Sequence, residues 1–152
     1  MPPRSPEHDP GPARIRDRPT WLISRAYVRS HRLLNEGFAA GGAGLRSYHY
    51  RLLAALEESG PRSQADLGRA TNVDRSDVAT VLADLDQLGL VARAVDPENR
   101  RRNIVSITEA GSSRLRALDE VLDEVQDRVL APLSENERRQ LTRLLKKLGD
   151  AP

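Results

Sequence analysis

From position 20 onward the apolar residues keep a helical period, drop to a period near two, and then return to the helical one. Trp21, Ile23, Ala26, Tyr27, Leu33, Leu34 and Phe38 recur at roughly helical spacing, with Thr20 placed as an N-cap and Gly41-Gly42 as a stop. Leu45, Tyr48, His49, Leu52, Leu53 and Leu56 share one face of a second helix, which Ser59-Gly60-Pro61 ends. Two capped starts follow, eleven residues apart: Ser63 with Asp66, and Asp74 with Asp77. In each, a short oxygen-bearing side chain stands three residues ahead of an acid, the spacing that satisfies free N–H groups at a helix start. They predict a short helix over 64–70 around Leu67, a turn at Thr71-Asn72, and a longer helix carrying Val78, Val81, Leu82, Leu85 and Leu88 up to Gly89. Short helix, turn, longer helix is the order of a helix-turn-helix.

Beyond Gly89 the period falls toward two over 90–95 and 104–107, with a polar run from Asp96 to Asn103 between them. That pattern predicts a hairpin with a long basic tip. Thr108 then caps a helix through Leu115, Leu118, Leu122, Val125 and Val129, Pro132 breaks it, and Ser134 with Glu137 caps a last helix through Leu141, Leu144, Leu145 and Leu148. Residues 1–19 hold prolines at 2, 3, 6, 10, 12 and 19 and no periodic face, so they read as an arm. The expected fold class is mainly α with one small β-hairpin.

Composition narrows the function. A chain of 152 residues has room for one ordinary core. It has no cysteine, no apolar run long enough to span a bilayer and no signal-peptide pattern at its start, so a soluble cytoplasmic protein is expected. Lys+Arg is 24 against Asp+Glu 22, so any nucleic-acid surface must arise by segregating charge, not from an excess of it. Histidines stand only at 8, 31 and 49, and no G-x-S-x-G, H-E-x-x-H or glycine-rich phosphate loop is present. Nucleophilic triads and metal hydrolysis lack their parts, and neither enzyme activity nor a metal or cofactor is expected.

The hairpin tip carries Arg100, Arg101 and Arg102. Guanidinium groups at such a tip project freely and suit a minor groove, whose narrow stretches concentrate negative potential. Upstream, Arg75, Ser76, Asp77 and Thr80 lie on the helix face opposite Val78, Val81 and Leu82, near the end where a recognition helix meets base edges. Ser63, Gln64 and the amides of their helix stand where a helix-turn-helix grips phosphates. Asp74 is read as a helix cap and not as a DNA contact; for Ser76 and Asp77 capping is the competing role.

The order of elements over 20–149 resembles the MarR family of bacterial transcription factors. The residues that carry the likeness are Val73-Asp74-Arg75-Ser76-Asp77-Val78, Leu85-Asp86-Gln87-Leu88-Gly89-Leu90-Val91, the tip Asp96-Pro97-Glu98-Asn99-Arg100-Arg101-Arg102, and Val105-Ser106-Ile107-Thr108-Glu109-Ala110-Gly111. The resemblance implies a winged helix-turn-helix lobe over 43–108, and N- and C-terminal helices, 20–42 and 109–152, that form a homodimer. It implies a double-stranded, pseudo-palindromic operator as partner, with the wing arginines in the minor groove. Two departures stand out: Thr80 and Asp84 replace residues that are basic in many members, and Asn99 replaces a wing aspartate that usually orients an arginine.

Members of the family commonly release DNA when a phenolic or aromatic carboxylate enters a cleft lined by the first, second and fifth helices. Arg16 is the first choice here to meet such a carboxylate bidentately, with Arg14 beside it. Trp21, Tyr27, His31 and Asn35 on the first helix, and Tyr48 and His49 on the second, are the candidate lining for the ring and its hydroxyls. Protocatechuate or a related hydroxybenzoate is the expected ligand. A constitutive regulator of the same fold and a helical protein-interaction module stay open as alternatives.

Overall fold

The structure is a computed structural model in which residues 11–152 are described. The part of the expected arm over 1–10 lies outside them. Ile15 and Arg16 donate to Pro12 O at 3.0 Å, closing a turn that leads into α1 (Pro19–Gly41). The helix starts one residue before Thr20: Pro19 fits the first helical position, where its fixed φ is already helical and its missing N–H would lack a partner anyway. Gly42 ends it, donating to Phe38 O at 2.8 Å.

The next helix, α2 (Ser47–Ser59), leads through β1 (Arg62–Ser63) into α3 (Gln64–Thr71) and α4 (Arg75–Gln87). Ser63 Oγ accepts from Asp66 N–H at 3.2 Å, the cap expected from the sequence. Asn72 closes α3 in the left-handed region at φ 53°, which makes the turn between the two helices. Asp74 holds the N-cap position of α4, but its carboxylate makes no cap bond. At the other end Leu90 N–H donates to Leu85 O at 2.9 Å and Gly89 N–H to Asp86 O at 3.0 Å, with Gly89 at φ 69°. This paired closure needs the left-handed glycine. It also turns Leu88 outward, 59 % exposed, against the expectation that Leu88 faces the core.

Two longer strands follow, β2 (Val91–Val95) and β3 (Asn103–Ile107), then α5 (Glu109–Leu130) and α6 (Glu135–Gly149). Among the described residues the sheet has three strands, not two, in the order β1-β3-β2, all antiparallel. Arg62 pairs with Val105 and Ser63 with Ile104, so the entry to α3 is stitched to the hairpin. A two-residue strand has no period to read, which is why only the hairpin was foreseen.

One core joins α2, α3, α4 and the sheet to parts of α1 and α5. Leu52, Leu53 and Leu56 of α2, Leu67 of α3, Val78, Val81, Leu82 and Leu85 of α4, Val105 of β3 and Leu118 of α5 are almost fully buried in it. The long α5 reaches this core at its first half and packs along α1 at its second. There Gly37 and Gly41 leave space for Val125 and Val121: a methyl on Gly37 would sit 2.3 Å from Val125 Cγ2. Gly111 allows the tightest crossing, since a Cβ there would lie 2.1 Å from Leu90 O.

Parts of α1 and α6 share in none of this. Leu22, Ile23, Tyr27 and Val28 of α1 are exposed, as are Leu144, Leu145 and Leu148 of α6, where Leu141 alone of the expected stripe is half-buried. No helix is long and apolar enough to cross a membrane among the described residues.

Candidate nucleic-acid interface

The residues singled out for DNA come from three stretches that the fold brings to one concavity. Ser63 and Gln64 open α3, Arg75 opens α4, and Arg101 and Arg102 end the wing tip; with Asp66, Arg69 and Asn103 they line a hollow of about 890 Å³. The β1–β3 pairing produces this convergence, because it holds the start of α3 beside the tip-proximal end of β3. Among the described residues the side chains of Arg75, Arg100 and Arg101 have no hydrogen-bond or ion-pair partner. In the hollow, Asp66 is taken up by Arg69 and Arg102 and Asp74 is the other acid, so the unpaired Arg75 and Arg101 leave the lining basic and suited to anions. Ser76, Asp77 and Thr80 are exposed on α4 outside this hollow, and Thr80 Oγ1 donates to Ser76 O at 3.2 Å. Arg100 is exposed at the tip, also outside it.

Arg102 is differently placed. Its Nη2 donates to Asp66 Oδ2 at 2.8 Å and its Nε lies 3.7 Å from Asp96 Oδ2. Asp66 also accepts from Ser63 Oγ at 2.6 Å and from Arg69. The Ser63 hydroxyl first, then the Arg102 and Arg69 charges, hold its carboxyl below the usual value of 3.8. Asp96, buried, accepts Glu98 N–H at 2.9 Å, and Asn99 Oδ1 accepts Arg101 N–H at 3.1 Å. These two local bonds close the tip on itself. Sequence reasoning read Asp66 as a helix cap and gave Asp96 no role; the alternation of charge between α3 and the wing is a tertiary pairing with no local signature.

The residues expected around a ligand fall into separate groups. Arg14 and Arg16 are exposed in the turn before α1. Tyr27 stacks on His31 with centroids 5.5 Å apart, and Asn35 Nδ2 lies 3.3 Å from His31 Nδ1, a ladder on an exposed face. Trp21 instead borders a shallow hollow of about 700 Å³ with Arg25, Arg29 and Arg32, and none of the other seven candidates lines it. Tyr48 is exposed, with the Arg51 guanidinium 5.5 Å above its ring.

His49 is buried and both its ring nitrogens are engaged. Nδ1 accepts the backbone N–H of Arg46 at 3.0 Å, capping α2, so the neutral ring carries its proton on Nε2 and donates it to Asp84 Oδ2 at 3.1 Å. Asp84, one of the two departures noted on α4, therefore adds a polar link from that helix to α2 beside their shared core.

The MarR family profile matches residues 43–102, the stretch from the end of α1 to the wing tip. The HTH-type transcriptional repressor NicR of Pseudomonas putida is 32 % identical over 130 residues, covering 86 % of this chain and 81 % of that protein. BpsR of Bordetella bronchiseptica, whose DNA binding is regulated by 6-hydroxynicotinic acid, superposes with a TM-score of 0.83 at 26 % identity, over 93 % of this chain and 100 % of its own. The PcaV transcriptional regulator of Streptomyces coelicolor, solved with its natural ligand, gives 0.75 at 26 % identity, over 89 % and 94 %.

Proposed function

Because the chain belongs to the MarR family and is a transcriptional repressor of that type, we propose that it grips a pseudo-palindromic operator as a homodimer and lets go when a small hydroxylated aromatic carboxylate binds. The observation that carries the DNA half is the basic hollow in which Arg75 of α4 and Arg101 of the wing stand free of internal partners. In this reading the N-terminal half of α4 enters the major groove, with Arg75, Ser76, Asp77 and Thr80 toward the bases. Ser63 and Gln64 meet phosphate at the start of α3, and Arg100 and Arg101 enter the minor groove.

The exposed apolar residues of α1 and α6 support a dimer region built from 20–42 and 109–152, with 43–108 as the reading lobe. Two lobes must reach successive grooves about 34 Å apart. A ligand that favours another spacing weakens DNA binding by the factor by which DNA weakens ligand binding. BpsR's response to 6-hydroxynicotinic acid supports an aromatic carboxylate as the effector. Arg16, with Arg14, is our choice for its carboxylate; Trp21, Tyr27, His31, Asn35, Tyr48 and His49 are the candidates for its ring and hydroxyl, and protocatechuate or a related hydroxybenzoate heads the list of effectors.

The test is selection of a binding duplex from a random pool, then titration of that complex with hydroxybenzoates and 6-hydroxynicotinate. Recovery of an inverted repeat, and its release by one of these acids, is the expected result. A duplex that no acid releases would leave a constitutive regulator. With the ligand identified, Arg16→Ala should keep operator affinity and abolish release; a normal response would move the carboxylate site elsewhere.

A further inference from the structure

The three wing arginines are chemically alike, yet only one of them is held from outside the hairpin. Arg102 reaches out of the wing to Asp66 on α3 at 2.8 Å, with Asp96 at its Nε side, while the side chains of Arg100 and Arg101 have no partner among the described residues. Asp66 is itself fixed: Ser63 Oγ bonds the same Oδ2 atom that Arg102 uses, and Arg69 takes Oδ1. Both ends of the contact are thus anchored, one in the capped start of α3 and the other at the last tip residue, immediately before the Asn103 that opens β3.

We infer that Asp66 is a positioning residue for operator binding: through Arg102 it struts the wing against the helix-turn-helix, so that Arg102 orients the tip and Arg101 and Arg100 do the groove contact. Bonds within the wing close its tip, through Asp96, Glu98, Asn99 and Arg101, but they do not set its angle to α3 and α4. The β1–β3 pairing holds the tip-proximal part of β3 over two residue pairs, Arg62–Val105 and Ser63–Ile104, and Arg93 Nε of β2 lies 3.5 Å from Asp86 Oδ2 of α4. The Arg102–Asp66 bond extends that hold to the tip itself, with the guanidinium placed between Asp66 of α3 and Asp96 of the wing.

This inference rests on the DNA-binding reading, and it makes a prediction opposite to simple electrostatics. Removing an acid from a basic face raises local positive charge and on that ground alone strengthens binding to phosphate. The strut requires the reverse. Asp66→Asn should weaken binding to the duplex selected by the wild-type protein by roughly five- to thirtyfold, and hydroxyl-radical protection of the flanking minor groove should fade while protection where α4 lies persists. Arg102→Gln should lose a similar factor. The double variant should lose no more than the worse single one, because both break one contact.

Losses that multiply in the double variant would make Arg102 an independent DNA contact and overturn the inference, as would Asp66→Asn binding equally or more tightly. Thermal melting of each variant separates an altered wing from an unfolded lobe; should Asp66→Asn fail to fold, Arg102→Gln footprinting alone decides between lost wing protection and retained protection. A wild-type protein that selects no duplex would instead fail the DNA-binding reading itself.

Discussion

At the scale of single residues, His49 does two jobs with two nitrogens, and isosteric replacement separates them. Asparagine places an acceptor near the Nδ1 position and keeps the cap on α2 while dropping Asp84. Glutamine places a donor near Nε2 and keeps Asp84 while dropping the cap. Each lost bond should cost about 1 kcal/mol, more where a charged partner is left. His49→Gln should speed hydrogen exchange at the Arg46 amide, and His49→Asn should leave that amide protected; the same exchange rate in both variants would contradict the split. Gly111 is the other sensitive position. Its missing Cβ is where the Leu90 carbonyl sits, so Gly111→Ala should destabilise the fold by roughly 2–3 kcal/mol in urea unfolding. The sequence displayed His49 on a buried face, but both of its partners belong to geometry: one is a backbone group, the other lies 35 positions away.

At the scale of elements, α1 and α5 are tied by charge as well as by the glycine contact. Glu36 on α1 accepts from Arg32 at 2.8 Å and from Arg128 on α5 at 3.0 Å, and Arg29 donates to Val129 O at 2.7 Å and Arg128 O at 3.0 Å at the end of α5. The bonds from Arg32 and Arg128 hold the Glu36 carboxyl below its ordinary value of 4.5. Its contribution is therefore complete above about pH 4.5 and is lost as pH falls through the lowered folded value. Glu36→Gln should flatten the fall of Tm over that acid range and change little near neutrality, beyond the screened worth of an exposed pair. Between α2 and α5, burial and then the bond to Asp119 push Tyr50 up to about 12. Stability from this neutral phenol is present below the ordinary value of 10.0 and lost as pH rises toward about 12. A late ultraviolet phenolate transition should vanish in Tyr50→Phe. Helix starts were legible because a cap is a matter of three residues, as at Ser63, Thr108 and Ser134. What escaped was β1, too short to have a period, and the outward turn of Leu88, which the Gly89 closure dictates.

At the scale of the molecule, the apolar stripe of α6 is left bare among the described residues, and the sequence could show the stripe but not which surface it meets. Leu145→Glu should shift the protein toward monomer in sedimentation at micromolar concentration and weaken operator binding with it; an unchanged mass would remove α6 from the proposed dimer region. That Ser63, Gln64, Arg75, Arg101 and Arg102 line one hollow was partly legible, because a basic hairpin tip follows a helix-turn-helix along the chain. The residues expected around a ligand were not brought together in the same way. Trp21 and the Tyr27 ladder lie in separate groups on α1, and no local pattern states which of them a partner subunit would complete.

The unpartnered faces of α1 and α6 share no element with the basic hollow formed by α3, α4 and the wing. In genetic terms, damage to the two is inherited differently. An allele encoding Arg101→Ala should still supply subunits able to pair with wild-type ones, and each mixed pair would occupy only one arm of an inverted repeat. Expressed beside the intact gene, it should act as a dominant-negative allele and turn on a reporter behind the operator. An allele carrying Leu145→Glu, whose product cannot enter the pair, should be recessive.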